Sequence, residues 1–377
     1  MRRTLDRWTF TSAPVGPPAA RPPYTVRPYD LEDAGEAFRL FQACFLQQRE
    51  RAEWAWKFER MLTNPQPPFH VVEAGGQLVG MYPVRTLRLQ VGDRVRLAPQ
   101  CQDVCIDPAH RGGRIIRALL RANEEAWKAA DVPLIFGFPT AEHMKVGARL
   151  LGYLDLFHLQ VWSRRLARGL RLQARLPFDW ARRLAYGAGV ALQELNTTRR
   201  SPRTRDTVRL CNLPCFEASI DLLWSRFRSQ VRFATVRDAT YLTWRYVDRP
   251  GGLFRVVGAT RDGRLEGYCV FRDNLPRVNG SRDGVLMDLV AIDPAVAKAL
   301  LGAALARMRA ARCGFAWALI HPAMLTAPVL AEAGFVPDLA DETIIFSVKP
   351  YASDLDMNAL RRPENWLLAF GDTDGMG

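Results

Sequence analysis

The sequence predicts an α/β (α+β) protein built from two tandem copies of one domain, each a mixed, mostly antiparallel twisted sheet flanked by helices. Three observations lead there. Segments with apolar residues at a period of two alternate with segments of helical period, so strands and helices are interleaved. A strand, a glycine-rich turn and a helix follow one another between Gln102 and Leu120. Landmarks of the first half then recur in the second half in the same order.

The first domain is expected over residues 23–163, after a Pro/Ala-rich leader at 1–22 that reads as extended or disordered chain. Residues 24–29 alternate as a strand. Residues 31–45 form an amphipathic helix with Ala37, Leu40, Phe41 and Cys44 on one stripe, and 53–62 a second helix ended by Asn64-Pro65. Strands at 69–73 and 77–83 flank Gly75-Gly76, a hairpin signal, and a further hairpin turns at Gly92-Asp93. Residues 103–106 read as a short strand, with β-branched Val104 and Ile106 and a stop at Pro108. Residues 110–113 make a tight, cationic turn. From Arg114 a helix runs with Ile116, Leu119, Leu120 and Trp127 on its buried face. An apolar strand at 134–138, a helix at 143–151 ending in Gly152-Tyr153, and a strand at 156–162 close the unit.

The corner at 110–116 suits an anion. The first N–H groups of a helix lack internal partners, the helix dipole favours negative charge there, and glycine lets backbone approach a phosphate. Arg111 and Arg114 add charge.

These residues carry a resemblance. Pro108-x-x-Arg111-Gly112-x-x-Ile115-x-x-x-Leu119-Leu120 resembles motif A of the GNAT acyltransferases, whose usual form is Pro-x-x-Arg-Gly-x-Gly-Ile-Gly/Ala-x-x-Leu-Leu. Arg114 and Ile116 stand in place of two family glycines, and Gly113 comes one position early. The opening Val26-Arg27-Pro28-x-Asp30 and the Gly152-Tyr153 pair are also similar to the family's start and its Gly-Phe. The resemblance implies acetyl-CoA as acyl donor, with the pyrophosphate held by Arg111, Gly112, Gly113, Arg114, Ile115 and Ile116. It also implies that the central strand splays from the strand at 134–138, and that amides of Cys105 and Ile106 hold the pantetheine and thioester oxygen.

Acyl transfer from a thioester to an amine needs a base for the amine, a donor for the oxyanion and a way for the thiolate to leave. Family bases are acidic side chains near the central strand. Asp103 is the first candidate, expected on the strand face of Cys105, with Glu73 and Glu142 behind it. A structural hydrogen bond within the sheet competes with that reading of Asp103. The family's acid is a tyrosine four residues before the terminal Gly-Phe glycine, and that position is Ala148 here. His143 or another tyrosine is then expected to serve, or the thiolate leaves unassisted.

A second copy is expected over 207–350. Trp56-Lys57-Phe58 returns as Trp244-Arg245-Tyr246, Asp107-Pro108 as Asp293-Pro294, Pro139 as Pro322 and Gly152-Tyr153 as Gly334-Phe335. The second copy lacks the Arg-Gly-Gly-Arg turn, so only the first is expected to bind acyl-CoA. Between them, 164–206 reads as a basic helical linker, with eleven arginines against Asp179 and Glu194 from Arg164 to Arg205. It packs as a solvated linker or lies against anionic membrane. The tail, 351–377, carries Trp366 and Gly371-Asp372-Thr373-Asp374. It is similar to tails of tandem GNAT proteins found with polysaccharide synthesis, and a disordered acidic tail is the other reading.

With 48% hydrophobic residues the chain can bury sizeable cores. Its net charge of +13 is concentrated in the linker, so nucleic acid is not an expected partner. Seven scattered cysteines make no disulfide framework and fit a reducing cytoplasm, and no metal is expected. Neither a signal peptide nor a membrane-length apolar run is visible. The sequence thus predicts a cytoplasmic acetyl-CoA-dependent N-acetyltransferase acting on a small-molecule amine or amino sugar. Alternatives are an acyl-chain or aminoacyl transferase on the same fold and a non-catalytic CoA sensor or scaffold.

Overall fold

A computed structural model describes residues 23–45, 49–59, 69–166, 208–277, 280–338 and 343–373. The leader at 1–22, the linker from 167 to 206, the end of the second helix at 60–62 and Asp374 lie outside the described residues. The chain forms two compact units, one made of residues up to His158 with Ile344–Arg361, the other of Leu159–Thr343 with the chain from Arg362. The boundaries expected at 163 and 350 therefore shift. Residues 344–350 complete the first unit's sheet, and 159–165 join the second.

In the first unit, β1 (Tyr24–Pro28), β2 (His70–Ala74), β3 (Gln77–Met81) and the two-residue β6 (Cys105–Ile106) pair antiparallel in that order. Gly75 and Gly76, with φ of 57° and 76°, make the β2–β3 turn in the left-handed region that glycine enters without strain. β4 (Val84–Val91) and β5 (Arg94–Cys101) form the second expected hairpin. β7 (Leu134–Gly137) is parallel to β5, and β16 (Thr343–Pro350) is its antiparallel neighbour.

Helix α1 (Ala34–Cys44) buries Ala37, Leu40 and Phe41, as its stripe requires. α2 (Arg51–Trp54) continues into a π-helical turn at Ala55–Glu59. α3 (Arg114–Ala129) buries Ile115, Ile116, Leu119, Leu120 and Trp127. It lies so close on β3 that a Cβ at Gly80 would stand 2.6 Å from the Ile115 side chain. α4 (Ala141–Leu151) is capped by Thr140 and ends at Gly152 with φ of 65°, the left-handed stop its sequence predicts.

The second unit also interleaves strands and helices. After β9 (Arg209–Asn212) come α5 (Ala218–Phe227), β10 (Phe233–Thr235) and α6 (Ala239–Leu242), which again passes into a π-helical turn, Thr243–Val247. The matching tripeptides Trp56-Lys57-Phe58 and Trp244-Arg245-Tyr246 thus occupy the same rare backbone form. β9, β11 (Arg255–Arg261), β12 (Arg264–Pro276) and β13 (Arg282–Ala291) form an antiparallel run. After α7 (Pro294–Ala310), β14 (Cys313–Ile320) runs parallel to β13 and antiparallel to residues 160–165 of β8 (Leu154–Arg165). α8 (Ala327–Glu332) and β15 (Val336–Pro337) follow.

Of the two readings of the tail, disorder does not hold as far as Thr373. After α9 (Met357–Leu360) of the first unit, residues 363–373 enter the second unit's core, with Trp366 1% exposed and stacked on Phe233 at 4.8 Å. Arg245 Nε and Nη2 donate to the carbonyls of Gly371 and Thr373 at 2.8 and 3.0 Å. Arg237 Nη2 donates to Asp372 at 2.7 Å.

Candidate active site

The corner that opens α3 has no side-chain cap. Asp107 caps the short turn Pro108–His110 by accepting from Ala109 N at 2.9 Å. Gly112 and Gly113 then take φ of 138° and 83°, backbone that only glycine adopts without strain. Gly113 is the residue before α3, and no side chain caps the helix. The amides of residues 114–116 therefore lack the i−4 carbonyls that satisfy later turns.

The side chains around this corner sort differently from the expectation. Ile115 and Ile116 turn into the core, so only their amides can meet a ligand. Arg114 lies over the ring of Tyr24 at 5.7 Å, and His110 Nδ1 is 3.3 Å from the Tyr24 hydroxyl. Arg117 reaches back over the turn, its guanidinium 3.5 Å from where a Gly113 Cβ would be. The motif did not single out Arg117, though its place one turn after Arg114 was a usable signal.

The start of α7 in the second unit is capped. Asp293 accepts from Val296 N at 2.9 Å at the start of α7, and Arg261 holds the same carboxylate at 2.9 Å. A carboxylate of the chain itself thus fills the place left empty in front of α3.

The central strand is interrupted. Residues 102–104 are not strand, and Asp103 takes a left-handed φ of 44°. This corrects the continuous strand expected over 103–106, and with it the placement of Asp103 on the face of Cys105. The break parts the sheet. The ladder between β5 and β7 has the one pair Gln100–Phe136, after which β6 pairs with β3 and β7 with β16. Asp107 N donates to Val79 O at 2.9 Å, and hydrogen-bonded positions alternate along an antiparallel ladder. The amide of Cys105 is therefore spent on β3, and that of Ile106 faces away from it. Of the two amides expected to hold the donor, only Ile106 is available.

The Asp103 carboxylate is buried and engaged. Its Oδ2 accepts from Lys57 Nζ at 2.6 Å and from Arg49 Nη1 at 2.7 Å. Burial alone would raise its pKa, but these two cations outweigh burial and hold it down at about 2. Such a carboxylate is a weak base and a firm anchor for the π-helical turn. Glu73 is likewise bound, to Arg27 at 3.2 Å.

His143 stands half-buried in the first turn of α4, its amide bonded to Thr140 Oγ1 at 3.2 Å. Desolvation lowers its pKa, so the imidazole is neutral near pH 7 and can accept a proton. Its ring lies 6.4 Å from that of Tyr82. Tyr82 Oη is 2.7 Å from Tyr153 Oη, and Tyr153 Oη is 3.2 Å from Cys101 Sγ. Cys101 closes β5 at the point of parting, where its carbonyl would be 3.3 Å from a Cβ on Gly137. Burial raises the pKa of Tyr82, Tyr153 and Cys101 alike, the thiol to about 11, so all three keep their protons at neutral pH. Gly147 makes room for Tyr153, since a Cβ there would meet the ring at 2.7 Å. Sequence reasoning missed this chain of donors because its members are far apart in sequence.

Residues 25–147 match a family model described as an acetyltransferase (GNAT) domain. No curated protein sequence matches the chain. Solved structures of similar fold include a probable N-acyltransferase of unknown function from Enterococcus faecalis V583. It has 12% identity and a TM-score of 0.60, over 87% of this chain and 73% of that one. A GCN5-related N-acetyltransferase from Anabaena variabilis ATCC 29413 has 11% identity and a TM-score of 0.61 over the same shares, 87% and 73%. The N-myristoyltransferase of Saccharomyces cerevisiae, solved with bound myristoyl-CoA, has 12% identity and a TM-score of 0.55, over 97% of this chain and 88% of that one. At these identities the likeness is one of fold. Among the described residues no helix is long and apolar enough to cross a membrane.

Proposed function

We propose, from the match of residues 25–147 to a GNAT acetyltransferase domain model, that the chain moves an acetyl group from acetyl-CoA to the primary amine of a small molecule or sugar, by direct attack in a ternary complex. The observation that carries this reading is the contrast between the two helix starts: α3 opens on bare amides among Arg111, Arg114 and Arg117, whereas α7 is capped by its own Asp293. The first unit takes the pyrophosphate, and the second takes no donor.

In this reading the Ile106 amide meets the donor along the parted edge. The neutral His143 accepts the amine's proton. Tyr153 and Cys101 take over the role of the family tyrosine that Ala148 replaces. Their raised pKa values make them hydrogen-bond donors to a departing thiolate rather than acids that surrender a proton. Asp103 holds Lys57 and Arg49 in place and does not take part as base.

The test is calorimetric titration with acetyl-CoA, followed by transfer assays over a panel of amines. Arg111→Ala is expected to weaken acetyl-CoA binding by about 1–3 kcal/mol, the worth of a hydrogen bond between charged groups. Unchanged affinity would remove Arg111 from the pyrophosphate. Tyr153→Phe is expected to lower kcat on the order of a hundredfold with little change in KM for the donor, as loss of one preorganised donor does. A kcat within twofold of wild type would show that the thiolate leaves without this help. A second reading, transfer of a longer acyl chain, is favoured by the whole-chain likeness to an enzyme solved with myristoyl-CoA. Including acyl-CoAs of increasing length in the panel decides between them.

A further inference from the structure

A buried oxygen at the parting of the sheet is left without a donor. Gln102 follows β5 where the strand breaks and is 4% exposed. Its backbone amide donates to Pro83 O at 3.1 Å, and its Nε2 donates to Gln100 Oε1 at 2.8 Å. Its Oε1 is buried and meets no donor among the described residues. The orientation of this side chain is fixed from behind. Arg85 Nη2 donates to Gln100 Oε1, and a guanidinium has only donors to offer, so the Gln100 atom in that position is the oxygen. The same oxygen receives Gln102 Nε2, so the Gln102 oxygen is the atom turned away. A buried acceptor without a donor destabilises a fold, and native proteins carry few of them. Asp103, next in sequence, shows the contrast, since it accepts from both Lys57 and Arg49.

The position of Gln102 gives the oxygen a use. It lies two residues past Gln100, which makes the β5–β7 pair with Phe136. Alternation along the strand turns Cys101, between them, to the other face, where its Sγ is 3.2 Å from Tyr153 Oη. His143 is on that side too, its ring 6.4 Å from that of Tyr82, which bonds to Tyr153. Gln102 and His143 therefore border the parting from opposite faces of the sheet.

We propose that Gln102 Oε1 receives an N–H of the acceptor amine and makes the site selective for primary amines over secondary amines and alcohols. The inference deepens the acyl-transfer reading and rests on it. A neutral primary amine brings a lone pair and two hydrogens. The lone pair forms the bond to the thioester carbon, one hydrogen leaves as a proton to His143, and the other stays on nitrogen, bonded to Gln102. The carbon–sulfur bond then breaks, its electron pair departs with the thiolate, and the product amide keeps its single N–H. An uncharged carbonyl suits this place better than a carboxylate, which would favour the ammonium form and withhold the lone pair. A secondary amine has one N–H and an alcohol one O–H. With that hydrogen given to His143, nothing is left for Gln102, and the buried oxygen stays unpaired.

Wild type, Gln102→Leu and Gln102→Met are compared by thermal unfolding without substrate and by calorimetric titration with acetyl-CoA. Transfer is then measured to the best primary amine of the panel and to its N-methyl and hydroxyl counterparts. Both substitutions remove an acceptor that no donor satisfies, so the unfolding midpoint is expected to be no lower than that of wild type. Affinity for acetyl-CoA is expected to stay within twofold. The kcat/KM for the primary amine is expected to fall about tenfold while that for the N-methyl amine holds, so the preference shrinks by the same factor. Primary-amine turnover within twofold of wild type in both variants overturns the inference and leaves the acyl-transfer reading standing. So does a fall shared equally by the N-methyl amine, or a lowered midpoint in both variants, which would make Gln102 part of the scaffold. A wild-type chain that acetylates no amine overturns both.

Discussion

Arg237→Ala is expected to destabilise the second unit by about 3–5 kcal/mol, the cost of removing one partner from a buried ion pair. The guanidinium is 1% exposed and lies between two carboxylates as deeply buried. Its Nε is 3.0 Å from Asp288, its Nη2 2.7 Å from Asp372, and its Nη1 donates to Thr235 O at 2.8 Å. Tyr268 Oη adds a bond to Asp288 at 3.2 Å. Alanine leaves two negative charges in the core with no cation between them, and both must protonate or drag in water. The Asp372 arm is also one of the ties that hold the tail inside. Urea unfolding followed by tryptophan fluorescence measures the loss, because Trp366 and Trp244 are buried in this unit. A loss below about 1 kcal/mol would mean that the unit relaxes around the missing cation. Replacing Arg237, Asp288 and Asp372 together with apolar residues of similar volume is expected to cost less than Arg237→Ala alone.

Acid should weaken the first unit in a defined window. A free aspartate titrates near 3.9, whereas Asp103 in the folded chain titrates at about 2. The folded value is the lower one, so the carboxylate adds stability above the unfolded pKa, and that stability is lost as pH falls through the folded one. The contribution is about 2 kcal/mol, disappearing between about pH 4 and pH 2. Asp103→Asn is expected to flatten this part of the stability curve, at the price of a less stable protein at neutral pH, where Lys57 and Arg49 lose their counter-charge. An acid limb that keeps its slope in Asp103→Asn would assign the effect to other carboxylates.

Much of this was legible in the sequence, and the parts that were not share a physical cause. Elements set by local pattern appeared where expected: both hairpins, the Thr140-capped helix closed by Gly152, and the turn of Gly112 and Gly113 ahead of α3. The repeated tripeptides foretold a shared structure, although nothing in Trp-Lys-Phe announces a π-helical turn. The break at Asp103 was hidden because Val104 and Ile106 favour strand. What imposes it is tertiary, the pull of Lys57 and Arg49 on the carboxylate. The chain of Tyr82, Tyr153 and Cys101 joins three elements across the core, and no spacing rule reaches so far. The tail was obscured for a related reason: its Gly371 is needed because Met287 O would lie 2.8 Å from a Cβ, a crowding no composition reveals.

The placement of residues 344–350 bears on how the protein is made. The strand beside β7 is delivered only after the whole stretch 159–343 of the second unit, so the first unit's sheet waits with a bare edge while that stretch is made. During that interval β7 is a docking strip for any extended segment nearby, including one on a neighbouring nascent chain. A fragment ending after residue 166 would never receive its last strand. Supplying the remainder as a separate polypeptide is the way to restore it.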